Sequence, residues 1–192
     1  MAVNDAKIIG GLFQSDPNKG FWGRTWELFS RLTWEAPQVF TGLSWSLAKN
    51  FVGVVDRVEY FDDVTYIINE NWKGLGKQGV TLGNYINIDM IETIPNDISF
   101  TEYVLNNRNY NSSIFMHEYG HNIQSKRWEP LYLLSIGLPS LISGAMHDGV
   151  NHNHNYFYTE VLANRRAQKH FFDLYGTEWD YTRYPIEWED QP

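Results

Sequence analysis

The chain has 192 residues, 43% of them hydrophobic and 16% aromatic, with eight tryptophans. That composition is globular, and the length suits one domain burying roughly 70% of the surface its unfolded form exposes. Fifteen Lys and Arg stand against 23 Asp and Glu, a formal charge of -8 with no basic run, which argues against a nucleic-acid partner. Cysteine is absent, which excludes disulfides, thiolate metal sites, iron-sulfur clusters and a cysteine nucleophile, so any metal must be held by His, Asp or Glu.

The first twenty residues lack a charged stretch followed by an apolar core, so no signal peptide is visible. A cytoplasmic protein, or one exported as part of a larger one, is expected. Residues 21–50 are rich in tryptophan, and Trp22, Trp26 and Phe29 recur at spacings of four and three, one face of a helix expected to pack into the core. Residues 51–71, "FVGVVDRVEYFDDVTYIINEN", switch to β-branched and aromatic residues around Asp62 and Asp63, which predicts a hairpin with strands near 54–61 and 64–69. "KGLGKQG", 73–79, lacks the spacing and following helix of a phosphate-binding loop and reads as a turn. "VTLGNYINID" is a third candidate strand.

Ser112 or Ser113 is placed to cap a helix over about 114–127, with Pro130 beyond its end. The apolar run "LYLLSIGLPSLISGAM", 131–146, is broken by Gly137, Pro139 and Gly144 and is shorter than the roughly 17 to 25 residues a membrane span needs. It is expected to be a buried core segment, with peripheral membrane contact as the alternative. A polar loop over 146–155 precedes a second strong helix over about 156–175, and the acidic aromatic tail is expected to pack against the domain. No repeat or domain boundary is visible. The chain thus reads as a single α+β domain, 1–192, comprising a Trp-rich helical region (1–50), a catalytic core (51–175) and a tail (176–192).

The chemistry centres on "FMHEYGHNIQS", residues 115–125. On a helix His117 and His121 lie on one face a turn apart and can present two imidazole nitrogens to one ion. Glu118, about a quarter-turn away, is placed to act as general base on a metal-bound water rather than as a ligand. A catalytic zinc usually has three protein ligands and one open position, so a third must be found. Gln124 and Arg127 stand where a metzincin would carry Gly and His, which excludes that class.

The best candidate is Glu160, which shares a helical face with Ala163, Asn164 and Ala167 in "YFYTEVLANRRAQ". The small residues, with Gly120 opposite, would let two helices approach closely enough for a short carboxylate to reach the ion. Asn164 would accept a hydrogen bond from the outer nitrogen of one histidine and fix its orientation. His147, Asp148, His152 and His154 in the preceding loop are the competing ligands. Tyr156, Tyr158, His154 and Arg165 are the candidates for steadying an oxyanion or contacting substrate, and spacing does not choose among them.

These residues resemble the gluzincins, zinc metalloproteases whose ligands are HExxH plus a downstream Glu in a pattern like E-x-x-[AS]-D; His117, Glu118, His121 and Glu160 with Ala163 match it. Asn164 departs from the pattern, which usually has Asp there, and a neutral amide makes its histidine a weaker donor to zinc. "HEYGHNIQS", "GLPSLIS" and "YFYTEVLANR" are also similar to small bacterial zincin domains, some from repeat-containing or toxin-like proteins. The resemblance implies a zincin-like fold, with a small, mostly antiparallel sheet of three or four strands (51–90) packed on the HExxH helix and the Glu160 helix. It implies Zn2+ bound by His117, His121 and Glu160, with Glu118 activating water against a peptide or protein substrate, which could pair with "VTLGNYINID" as an added strand. The alternative is a zincin-fold binding or assembly domain of weak activity.

Overall fold

Residues 1–71, 73, 78–90, 93–105, 113–147 and 153–188 are described by a computed structural model. They form an α+β architecture, which divides into two units, Met1–Glu102 and Tyr103–Pro192. The glycine-rich loop, Ser112, Asp148 and His152 lie wholly or largely outside the described residues.

The first unit holds α1 (Ala2–Gly10), α2 (Phe21–Leu32), α3 (Ala36–Phe51) and a four-stranded sheet: β1 (Arg57–Phe61), β2 (Val64–Asn69), β3 (Gln78–Leu82) and β4 (Tyr85–Asp89). Strand order is β1-β2-β4-β3, antiparallel except for the parallel β2–β4 pair, so the sheet is mixed. The hairpin forms as expected, except that β1 starts only at Arg57, because α3 runs on to Phe51. Two residues, Asp62 and Asp63, turn the chain, and Asp62 adopts the left-handed conformation that Asp tolerates.

"VTLGNYINID" is not one strand but two. Gly83, at φ +60°, begins a two-residue turn that pairs Leu82 with Tyr85. This makes β3 an edge of the sheet and puts β4 inside it. The turn lies against α3, where only a glycine fits: a Cβ at Gly42 would sit 2.3 Å from the Leu82 carbonyl oxygen. The core between helices and sheet is built from Ile8, Val39, Val55, Val58, Ile67 and Tyr85.

The aromatic face of α2 points outward, contrary to the core packing expected of it. Trp22, Trp26 and Phe29 are 80%, 59% and 51% exposed, while the charged Glu27 and Arg31 of the same helix are buried. Arg31 donates to the Asp63 carboxylate at 2.9 Å and to its carbonyl at 2.8 Å, and Glu27 accepts from Lys19 and from the Asp16 backbone N–H. Helical spacing tells which residues share a face but not which way it turns, and here the inward position is taken by an arginine that pins the hairpin turn.

The second unit holds α5 (Ser113–Trp128), α6 (Leu138–Ala145) and α7 (Tyr158–Tyr175); α4 (Phe100–Leu105) carries the division between units. Helices α5 and α7 pack face to face, and a Cβ at Gly120 would fall 2.3 Å from the Ala163 carbonyl oxygen. Gly176, in the left-handed conformation, ends α7. The tail then folds back, burying Trp179 and Tyr184.

The apolar run 131–146 is two-sided rather than buried. Tyr132, Ile136 and Ser143 are buried, whereas Leu131, Leu134, Leu138, Leu141, Ile142 and Met146 are exposed, Leu134 at 69% and Leu141 at 62%. Uniform hydrophobicity carries no periodicity from which the two sides could be told apart.

Candidate metal centre

Helix α5 is buried nearly all round, and its second and third turns present His117 and His121 toward α7. The ring centroids of the two histidines are 5.0 Å apart. The Nε2 atoms of His121 and His117 lie 3.1 and 3.3 Å from Glu160 Oε2. All three donors fall within 4.8 Å of one another; His121 and Glu160 are buried and His117 is mostly so.

The orientation of each group is fixed from behind. The Asn164 amide donates through Nδ2 to the Pro185 carbonyl at 2.8 Å, so its Oδ1, 2.7 Å from His117 Nδ1, faces the ring as acceptor. Gln124 does the same for the other histidine: Nε2 donates to the Thr159 carbonyl at 2.7 Å, and Oε1 lies 2.8 Å from His121 Nδ1. Both amide orientations follow from the backbone carbonyls they must satisfy. Each Nδ1 therefore carries a proton, and in the neutral ring Nε2 holds the lone pair aimed at Glu160. Glu160 is anchored likewise, with Oε1 accepting from Ser140 at 2.7 Å and from Thr159 at 2.8 Å, which leaves Oε2 to the histidines.

The electrostatics match. Burial disfavours the charged form of His121, but the Glu160 carboxylate beside it outweighs that and raises its pKa to about 9. Burial works against ionised Glu160 as well, yet the two histidines hold its carboxyl well below the ordinary range. The cluster is thus a buried pair when no ion is bound, and it can hold a metal ion: two preset imidazole nitrogens and one carboxylate oxygen already converge.

Glu118 is buried beside the cluster, its Oε1 4.0 Å from His117 Nε2. Among the loop histidines, His154 comes to the site, with Nε2 3.7 Å from Glu160 Oε2 and Nδ1 2.9 Å from Ser143 Oγ. Burial lowers its pKa, against the pull of Glu160, so it favours the neutral ring. His147 is turned to the loop, accepting at Nδ1 from the His154 N–H at 3.1 Å. Tyr158 donates to the Ser135 carbonyl at 2.8 Å, a group to which Pro139, one turn on, has no N–H to offer. Arg165 donates to the Ile186 carbonyl and stacks over Trp188 at 4.4 Å. Tyr156 sits half-buried in the short turn His154–Tyr156.

Sequence reasoning passed over Gln124, Ser140, Thr159 and Tyr184. Gln124 was findable, since it lies one helical turn beyond His121. Tyr184 was not: its ring stacks on His117 with centroids 4.7 Å apart and planes at 22°, a contact that only the folded tail creates. Compared with known proteins, the chain matches no family model, no curated protein and no solved structure.

Proposed function

We propose that the protein is a zinc-dependent metallopeptidase whose ion is held by His117, His121 and Glu160. The observation that carries this reading is the convergence of two Nε2 atoms and one carboxylate oxygen, with a second buried carboxylate, Glu118, directly alongside. When bound, the ion supplies Lewis acidity, polarising a carbonyl and acidifying a water. Glu118, beside the histidine nitrogens, would serve as general base toward a water in the site and as proton donor to the leaving amine. Asn164 and Gln124 keep the imidazoles in the tautomer that presents Nε2, and Ser140 and Thr159 hold Oε1 of Glu160, which leaves Oε2 facing the histidines. His154, with Nε2 3.7 Å from Glu160 Oε2, is the candidate we assign to contacting the substrate. Metal analysis of protein purified without chelator, followed by a peptide-library comparison of wild type with Glu118→Gln, tests the proposal. Stoichiometric zinc and cleavage lost in the variant are expected; protein without zinc would refute it.

A second reading, a binding or assembly domain with membrane-peripheral contact, is favoured by the outward aromatic face of α2 and the outward leucines of 131–146. No helix among the described residues is long and apolar enough to cross a membrane. Cosedimentation with neutral and anionic vesicles separates the two, because a soluble peptidase stays in the supernatant while cleaving.

A further inference from the structure

Asn164 serves two partners at once, one as acceptor and one as donor. Its oxygen accepts from His117 Nδ1–H, and its nitrogen donates to the Pro185 carbonyl. An aspartate there would keep the first bond but set a carboxylate oxygen against a carbonyl oxygen 2.8 Å away, two acceptors with no proton between them. The carbonyl belongs to the residue after Tyr184, whose ring covers the face of His117. One amide therefore grips the edge of a candidate metal ligand and the chain segment that covers its face.

The rest of that segment is anchored nearby. Trp179, buried, donates from Nε1 to the Tyr184 carbonyl at 2.8 Å. Arg165, next to Asn164 on α7, donates to the Ile186 carbonyl and lies over the Trp188 ring. These contacts hold the backbone at Tyr184 and just after it.

We infer that residues 177–188 form a strap that completes the metal centre, with Asn164 as its latch and Tyr184 as the surface that holds the His117 ring in its ligating orientation. The inference rests on the metal reading of the site. Asn164 and Tyr184 are positioning residues: His117 can swing less when one edge and one face are held, so less ordering remains when the ion binds. By linkage, zinc binding and strap closure favour each other by the same factor.

The test uses the full chain with zinc alone as the probe: affinity by competition against a chromophoric chelator, and hydrogen exchange across 177–188 with and without the ion. Tyr184→Ala is expected to weaken zinc binding by roughly ten- to a hundredfold, the range for groups that orient a ligand, and Tyr184→Phe, which keeps the stacked ring, to restore it. Asn164→Asp, nearly the same shape, is expected to speed exchange in the strap of the metal-free protein, and zinc to slow it in the wild type. Wild-type affinity in Tyr184→Ala, or wild-type strap protection in Asn164→Asp, overturns the inference and leaves the metal reading intact. A wild-type chain that binds no zinc overturns the metal reading, and the inference with it.

Discussion

At the scale of single residues, the separate tasks proposed for the two buried carboxylates rest on their different surroundings. Glu160 is fixed by two hydroxyls and faces two imidazoles, whereas Glu118 sits to one side, 4.0 Å from the nearer histidine nitrogen. Replacing Glu118 by Gln is therefore expected to leave zinc content unchanged and to lower kcat by about a hundred- to ten-thousandfold, the contribution of a positioned general base, in single-turnover assays on a cleaved peptide. The His121–Glu160 pair also predicts how the metal-free protein responds to pH. His121 is raised to about 9, so its contribution to stability is complete below the unfolded value of about 6.5 and is lost as pH climbs through 9. Glu160 is depressed, so its contribution is present above the unfolded value of about 4.3 and is lost only in stronger acid. The Tm measured in chelator should fall between about pH 7 and 10, and Glu160→Gln should flatten that fall.

Among the elements, the contact between α5 and α7 depends on the missing side chain at Gly120. Alanine is the better helix former by up to about 1 kcal/mol, yet its Cβ would meet a backbone carbonyl that cannot step aside. Gly120→Ala is expected to destabilise the protein by roughly 1 to 3 kcal/mol in urea unfolding, and to weaken zinc binding because the ligands come from both helices. In α2 the usual rule is inverted. Trp22→Ser and Trp26→Ser should each change stability by less than about 0.5 kcal/mol, as exposed positions do. Removing the inward charge with Arg31→Ala takes away the buried ion-pair partner of Asp63 and should cost about 3 to 5 kcal/mol. Paired unfolding curves compare the two directly, and the same tryptophan variants should reduce any vesicle binding.

For the molecule as a whole, the ion would act as a ligand of the folded state alone, since its three donors meet only when α5 and α7 are packed. Zinc at a hundred times its Kd is expected to stabilise the chain by about 2.7 kcal/mol. A chelator should reverse that gain, read as a drop in Tm that zinc restores and magnesium does not, because imidazole donors suit zinc and a hard cation prefers oxygen.

Much of this was legible in the chain itself. The helix around HEYGH, the hairpin at Asp62–Asp63 and the small-residue face of Glu160, Ala163 and Asn164 are local, because spacing and turn chemistry act over a few residues. The pairing of His117 and His121 with Glu160 could be proposed from Gly120 and Ala163, since close helices need small side chains. Other features depended on partners far along the sequence. Only the tertiary structure turned the tryptophans of α2 outward, because the inward place went to Arg31 and its distant Asp63. Folding alone likewise split "VTLGNYINID" at Gly83, where α3 leaves no room for a side chain, and brought Tyr184 onto His117 through an amide on another helix. Local rules gave the chain its elements and its candidate ligand types; which faces meet, and what holds those side chains still, were decided by contacts the linear order does not contain.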